Sequence, residues 1–233
     1  MSGHSHWATV KHGKEINDKK RSKIFSKMSL LITLAAKNGG DPDMNAALRM
    51  TIEKAKKENM PKDSIEKAIK RGTGELLGET LEEFTFEVYG PDKSAIIITG
   101  ITTNKNRILN EIKIILNNNN AKLASEGSVK WQFEEKGIII IKPEDAEKAE
   151  LKIIDSGAED FSEQGELLEI YTAPENLDIV KTNIEKDFET EAANLGWVAK
   201  EKIKLEKLDK IGKLLSALDD NDDVQEVYTN IKL

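Results

Sequence analysis

The hydrophobic positions of this 233-residue chain change period at one place, and that change limits the folds open to it. Up to Gly72 they recur every three to four residues, as on helices; beyond Leu81 they gather in short apolar or alternating runs, as in strands. In the first part, Ile24, Phe25, Met28, Leu31, Ile32 and Ala35 make one helical stripe, with Asn17 or Asp18 as its cap and Gly39-Gly40 as its stop. Ser22, Ser26, Ser29 and Thr33 fall opposite that stripe. Asp41-Pro42 is expected to open a second helix with Leu48, Ile52 and Ala55 inside. Pro61 opens a third, with Ile65, Ala68 and Ile69 inside and Gly72 as its stop. Residues 1–16 hold no sustained period and read as an arm.

Residues 73–81 read as a linker. Strands are then expected over 84–89 and 95–101, joined by Gly90-Pro91-Asp92. Asn104 caps a helix carrying Ile108, Leu109, Ile112, Ile115 and Leu116, and a strand follows over 129–133. From Gly137 a new unit begins: strand 138–141, helix 144–154, strands 158–161 and 167–171, helix 174–188 and strand 197–205. That βαββαβ order is the ferredoxin-like arrangement. A helix over 206–218 and a strand over 224–228 would complete the earlier unit. The expected class is α+β, an N-terminal three-helix domain followed by two small α+β domains, one inserted in the other. The divisions are a basic arm and helical domain over 1–72, a linker over 73–81, a split domain over 82–136 plus 206–233, and a ferredoxin-like insertion over 137–205. An insertion with its own core could be excised, joining Glu135 to Glu206, and leave a folded protein.

Charge follows the same division. Residues 1–72 hold 16 Lys/Arg against 8 Asp/Glu, a balance of +8; the remainder holds 19 against 34, a balance of −15, within a net charge of −7. Segregation of this kind points to a polyanion met by the basic end. Lys and Arg neutralise phosphates and release counterions whatever the base sequence. All three histidines lie in the first twelve residues, beside Trp7. The candidate nucleic-acid contacts on the head are His4, His6, Trp7, Lys11, His12, Lys14, Lys19, Lys20, Arg21, Lys23 and Lys27. Lys105 and Arg107 join them, because a helix N-terminus already favours anions; a capped strand-to-helix turn is the plainer reading of that segment. Trp7 either stacks on an unpaired base, worth about 1–3 kcal/mol, or folds back on the helical domain. Lys54, Lys56, Lys57, Lys67, Lys70 and Arg71 extend the basic character but are of the kind that ordinary helix surfaces carry.

Several motifs resemble one family, the YebC family. They are Gly3-His4-Ser5-His6-Trp7, Asp41-Pro42-Asp43-Met44-Asn45-Ala46-Ala47-Leu48-Arg49 and Asn59-Met60-Pro61-Lys62-Asp63, with Ala68-Ile69-Lys70-Arg71-Gly72, Tyr89-Gly90-Pro91 and Thr103-Asn104-Lys105-Asn106-Arg107. Gly127-Ser128-Val129 and Asp222-Asp223-Val224-Gln225-Glu226-Val227-Tyr228 extend the match to the far end of the chain. The resemblance implies three helical and α+β domains and a role in gene regulation through nucleic acid. The family's members are commonly labelled transcriptional regulators; others include a mitochondrial translational activator and bacterial proteins linked to stalled ribosomes. Here the chain has His6 and Gly13 where the family usually has basic residues, and Thr103 where it usually has aspartate.

Other classes of function find little support. With no cysteine there are no disulfides and no thiolate metal sites. No phosphate-binding glycine loop, nucleophile elbow or dinucleotide fingerprint occurs, so the chain is expected not to be an enzyme and to need no cofactor. If Met1 is removed, Ser2, Gly3 and His4 offer the square-planar nitrogen set that Cu(II) prefers, an adventitious site. The longest apolar runs are too short to span a bilayer, and the N-terminus carries charges where a leader would be apolar; a cytoplasmic protein is expected. Three readings follow: a factor that binds ribosomal RNA, on the ribosome, and modulates translation; a DNA-binding transcriptional regulator; or a protein-interaction scaffold. No helix aligns Arg, Asn or Gln for reading base edges, which favours RNA. Neither a membrane nor a small-molecule substrate is expected, and oligomeric state is left open.

Overall fold

The computed structural model describes residues 18–78, 80–143, 145–205 and 208–232. Three helices come first, α1 (Asp18–Ala36), α2 (Ala46–Lys57) and α3 (Lys62–Gly72). Met28, Ile32 and Ala36 of α1 pack with Leu48, Ile52 and Ala55 of α2 and with Ile65 and Ala68 of α3. The expected stripes are therefore the buried faces. The second helix starts later than its proline suggested. Asp41 Oδ1 accepts the Asp43 N–H at 3.0 Å and closes a turn. Asn45 is the cap instead: its Oδ1 accepts from the Leu48 N–H, and its Nδ2 donates to the carbonyls of Ala35 and Gly39, both at 2.8 Å. One side chain thus ties the end of α1 to the start of α2. At Gly72 the backbone comes so close to α1 that a Cβ would stand 2.3 Å from the Thr33 carbonyl oxygen.

Strands β1 (Glu82–Tyr89), β2 (Ala95–Thr102), β3 (Lys122–Leu123) and β8 (Val224–Thr229) form an antiparallel sheet in the order β3-β1-β2-β8. Helices α4 (Lys105–Asn118) and α7 (Asp209–Asp219) cover its outer face, where Ile108, Ile112, Ile211 and Leu214 meet Phe84, Val88, Ile96 and Ile98. A second antiparallel sheet holds β4 (Phe133–Ile141), β5 (Asp160–Gln164), β6 (Leu167–Thr172) and β7 (Thr190–Ala199), ordered β5-β6-β4-β7. With α5 (Ala146–Asp155) and α6 (Leu177–Ile184) on its outer face, this is the ferredoxin-like arrangement. The inner faces of the two sheets meet. Ala95, Ile97 and Tyr228 pack against Ile138, Ile140, Leu167 and Tyr171, so the layers run helices, sheet, sheet, helices. Strands β2 and β4 are covered on both faces, which explains why they read as unbroken apolar runs rather than alternating ones.

Among the expected strands, those over 129–133, 138–141 and 197–205 change most in the structure. The strands expected over 129–133 and 138–141 are one short 3-10 turn (Lys130–Gln132) followed by the single strand β4. Its polar Glu134-Glu135-Lys136 segment joins the ladder with β7, which runs from Phe133↔Ala199 to Ile141↔Thr190, while only Gly137–Ile141 also pairs with β6. The junction expected at 136/137 falls inside this strand. The last strand of the ferredoxin-like unit lies at Thr190–Ala199, not 197–205. Its Ala-Ala-Asn-Leu-Gly stretch has weak strand propensity, and pairing with β4 overrides it.

Candidate nucleic-acid interface

The head's exposed basic residues are best placed where α1 and α3 run side by side. Ser22, Ser26 and Ser29 share one face of α1, spaced as successive turns require, with Phe25 beside them. Ser64, Lys67 and Arg71 share the facing side of α3. With Arg21 and Met60 they line a groove of about 460 Å³. Three cations and four hydroxyls line it, over an apolar floor of Phe25 and Met60, and no carboxylate is among the lining residues. Among the described residues, Arg21, Lys67 and Arg71 form no ion pair. Hydroxyls donate to phosphate oxygens while Lys and Arg neutralise them, so the groove suits a phosphodiester backbone. The serines were legible in the sequence as a polar stripe. That they face Lys67 and Arg71, ordinary surface residues by pattern, was not.

Other expected contacts are engaged within the protein. Lys23 Nζ donates to the Asp220 carbonyl at 2.6 Å and to its carboxylate at 3.1 Å. Lys27 Nζ donates to the Asp219 carbonyl at 2.8 Å and its carboxylate at 3.1 Å, with the lysine only 4% exposed. Both lysines meet the C-terminal end of α7, where free carbonyls and acidic side chains attract cations. In the structure they tie the head to the body, a role the charge pattern along the chain did not mark. Lys54 pairs with Glu226, and Lys57 donates to the Thr190 carbonyl, so part of the head's positive charge answers the body's negative charge.

Lys105 pairs with Glu82 at 3.1 Å. Arg107 holds Glu111 at 3.1 Å and Asp223 at 2.6 Å, and Asp223 also accepts from Thr102 Oγ1 at 2.7 Å. Burial opposes the charge on Arg107, but Asp223 and Glu111 outweigh it and hold the guanidinium above its ordinary pKa. Asn104 caps α4 through the Arg107 N–H at 3.0 Å. This segment is the capped turn of the plainer reading, with its cations already paired. Lys19 and Lys20 stand in the first turn of α1. His4, His6, Trp7, Lys11, His12 and Lys14, and with them the copper set at Ser2, Gly3 and His4, lie outside the described residues. Among the described residues no cluster of His, Asp and Glu could hold a metal ion, and no helix is long and apolar enough to cross a membrane.

A helical head bearing a basic groove, set on a body of two face-packed antiparallel sheets, defines a multidomain α+β protein. Residues 5–75 match the TACO1/YebC protein N-terminal domain and residues 81–231 the TACO1/YebC second and third domain; the chain belongs to the TACO1/YebC family. A protein of Kosmotoga olearia named "probable transcriptional regulatory protein" is 44% identical over 239 residues, covering all of this chain and 95% of that protein. One of the same name from Fervidobacterium nodosum is 47% identical over 240 residues, covering all of this chain and 94% of that protein. The crystal structure of a conserved hypothetical protein from Aquifex aeolicus is similar with a TM-score of 0.90 and 40% identity, covering 98% of this chain and 97% of that one. The relatives thus carry the name of a regulator of gene expression.

Proposed function

We propose that this chain is a non-enzymatic regulator that binds RNA through its helical head, on the ribosome, and so modulates translation. The observation that carries this reading is the α1/α3 groove: Arg21, Lys67 and Arg71 converge with four serine hydroxyls and no carboxylate. The site is concave. A reader of duplex DNA presents a convex helix or ribbon to the major groove, whereas a concave, hydroxyl-lined channel takes in a single backbone. Folded RNA offers such strands in loops and bulges. The acidic body also disfavours broadside binding to a long straight duplex, whose phosphates would meet its carboxylates. The basic arm, with Trp7, would extend the same contact surface.

The relatives' name favours a second reading, binding to duplex DNA in transcription. Binding of the full-length protein to an RNA hairpin and to duplex DNA of equal length separates the two. The expected result is a preference for RNA at physiological salt, a loss of at least tenfold in the double variant Lys67→Glu, Arg71→Glu, and co-sedimentation of the wild type, but not the variant, with ribosomes. Sequence-selective binding to a promoter duplex that persists in the double variant would overturn the reading.

A further inference from the structure

Tyr89, at the end of β1, and Trp131, between β3 and β4, are two exposed aromatic side chains held in one way. Trp131 is 68% exposed and Tyr89 48% exposed. The Trp131 Nε1–H donates to the Ser128 carbonyl oxygen at 3.0 Å, and Tyr89 Oη donates to the same oxygen at 3.3 Å. The segment carrying that carbonyl is itself anchored. The Glu87 carboxylate, in the middle of β1 and 5% exposed, accepts the N–H groups of Gly127 and Val129 at 2.5 Å and of Lys130 at 2.8 Å. A buried acid thus fixes a loop, the loop fixes a carbonyl, and the carbonyl holds two rings in solvent.

An exposed aromatic residue by itself is commonplace. Two whose polar edges are satisfied internally are less so. The indole N–H and the phenol O–H are the groups with which Trp and Tyr ordinarily hydrogen-bond a protein partner. Here both are engaged, and the flat π-faces are what remains for a partner. The neighbouring charge favours a polyanion. Lys122 stands directly opposite Tyr89 in the ladder, so the two side chains share a face of the sheet. Lys130, adjacent to Trp131, lies with its Nζ 4.6 Å from the Trp197 ring centroid. Within the loop, Glu126 is the opposing charge.

From this geometry we infer that Tyr89 and Trp131 form a stacking platform for unpaired nucleobases, a second RNA contact on the body, with Lys122 placed for a flanking phosphate. Stacking on an aromatic side chain is tolerant of sequence, because every base has a π-face, and it needs a ring held still rather than a ring with a free donor. The inference rests on the reading of the protein as an RNA binder and adds a site on the opposite side of the charge division from the head.

The test uses the full-length protein with Trp7→Phe and Trp197→Phe, leaving Trp131 as its one tryptophan, titrated with a 12-nucleotide single-stranded oligoadenylate. Saturable quenching of Trp131 emission is expected, with the same midpoint as binding followed by anisotropy of the labelled oligonucleotide. In the otherwise wild-type protein, Trp131→Ala should weaken binding about tenfold with an unchanged salt slope, since stacking releases no counterions, and Trp131→Phe should recover most of the loss. Unquenched emission on a bound complex, or wild-type affinity in Trp131→Ala, would overturn the platform. If the latter occurred while Lys67→Glu, Arg71→Glu still abolished binding, the groove would stand and the platform alone would fall. Quenching by a decaproline peptide but not by the oligonucleotide would equally overturn it, identifying a proline-binding surface instead.

Discussion

At the scale of single residues, Glu87 shows how a buried charge can organise a surface. Burial by itself would push its carboxyl up, but the three backbone N–H groups and nearby Lys130 outweigh that, and the group sits below its ordinary value of 4.5. A carboxyl whose folded pKa is lowered stabilises the native state above the unfolded pKa, and this contribution is lost as pH falls through the folded value. The loop at 124–132 is therefore expected to remain anchored at neutral pH and to loosen only below about pH 4.5, the ordinary value from which the shift is taken. Glu87→Gln places an amide N–H₂ where one carboxylate oxygen accepted, facing a donor with a donor. A loss of about 2 kcal/mol at pH 7 is expected, on the scale of an unsatisfied buried polar group. Denaturant titrations of both proteins should show that gap narrowing as the pH is lowered from 5 to 3, because protonated Glu87 also loses acceptor capacity. A gap that widened in acid would contradict the assignment.

At the scale of elements, β4 decides how separable the ferredoxin-like unit is. Sequence reading allowed 138–205 to be removed as an insertion with its own core. The unit does have one core of its own, Ile139, Ile141 and Ile170 beneath α5 and α6. Its other face closes on the first sheet through Ile138, Ile140 and Leu167 against Ala95, Ile97 and Tyr228. Excision would cut β4 in two and expose three residues that are each at most 3% exposed in the intact protein. At about 25 cal/mol per Å² of apolar surface, uncovering a sheet face costs several kcal/mol, comparable with the stability of a whole domain. The shortened protein is expected to lose its cooperative unfolding transition, as monitored by circular dichroism. A sharp transition retained after excision would show that the first sheet needs no cover.

At the scale of the whole molecule, charge segregation has two consequences. The +8 head and the −15 body attract each other, and Lys23, Lys27, Lys54 and Lys57 make the contact. Lys27 is the most buried of the four lysines. Changing Lys27 to glutamate would place two carboxylates together at the negative end of α7, a cost of about 3 kcal/mol or more for a broken buried pair. Faster proteolysis within 73–81 and a lower Tm are expected. Lys27→Met, which keeps the apolar stem without adding a charge, should be milder. Equal protease sensitivity in the two variants would argue against an electrostatic tie. Substituting Lys20, Lys23 and Lys27 together by glutamate is for the same reason a poor probe of RNA binding, since it would unsettle the head before it reported on the groove.

The sequence by itself determined the helical head, the α+β class, the ferredoxin-like order and the basic character of the first 72 residues. Each depends on local rules: hydrophobic period, turn residues and charge counted along the chain. What only the tertiary structure decided was which surfaces meet. Ser26 and Arg71 come to line one groove although 45 positions separate them in the chain. Lys27 and Asp219, 192 apart, pair and give the lysine a partner on the body. Val129 and Lys130 give up a strand because a carboxylate more than forty residues earlier binds their N–H groups. The boundary of a strand depends on the partner that accepts its hydrogen bonds, and the role of a cation on the nearest carboxylate. Neither neighbour is marked in the local pattern, because long-range proximity arises only when the apolar faces have closed on one another.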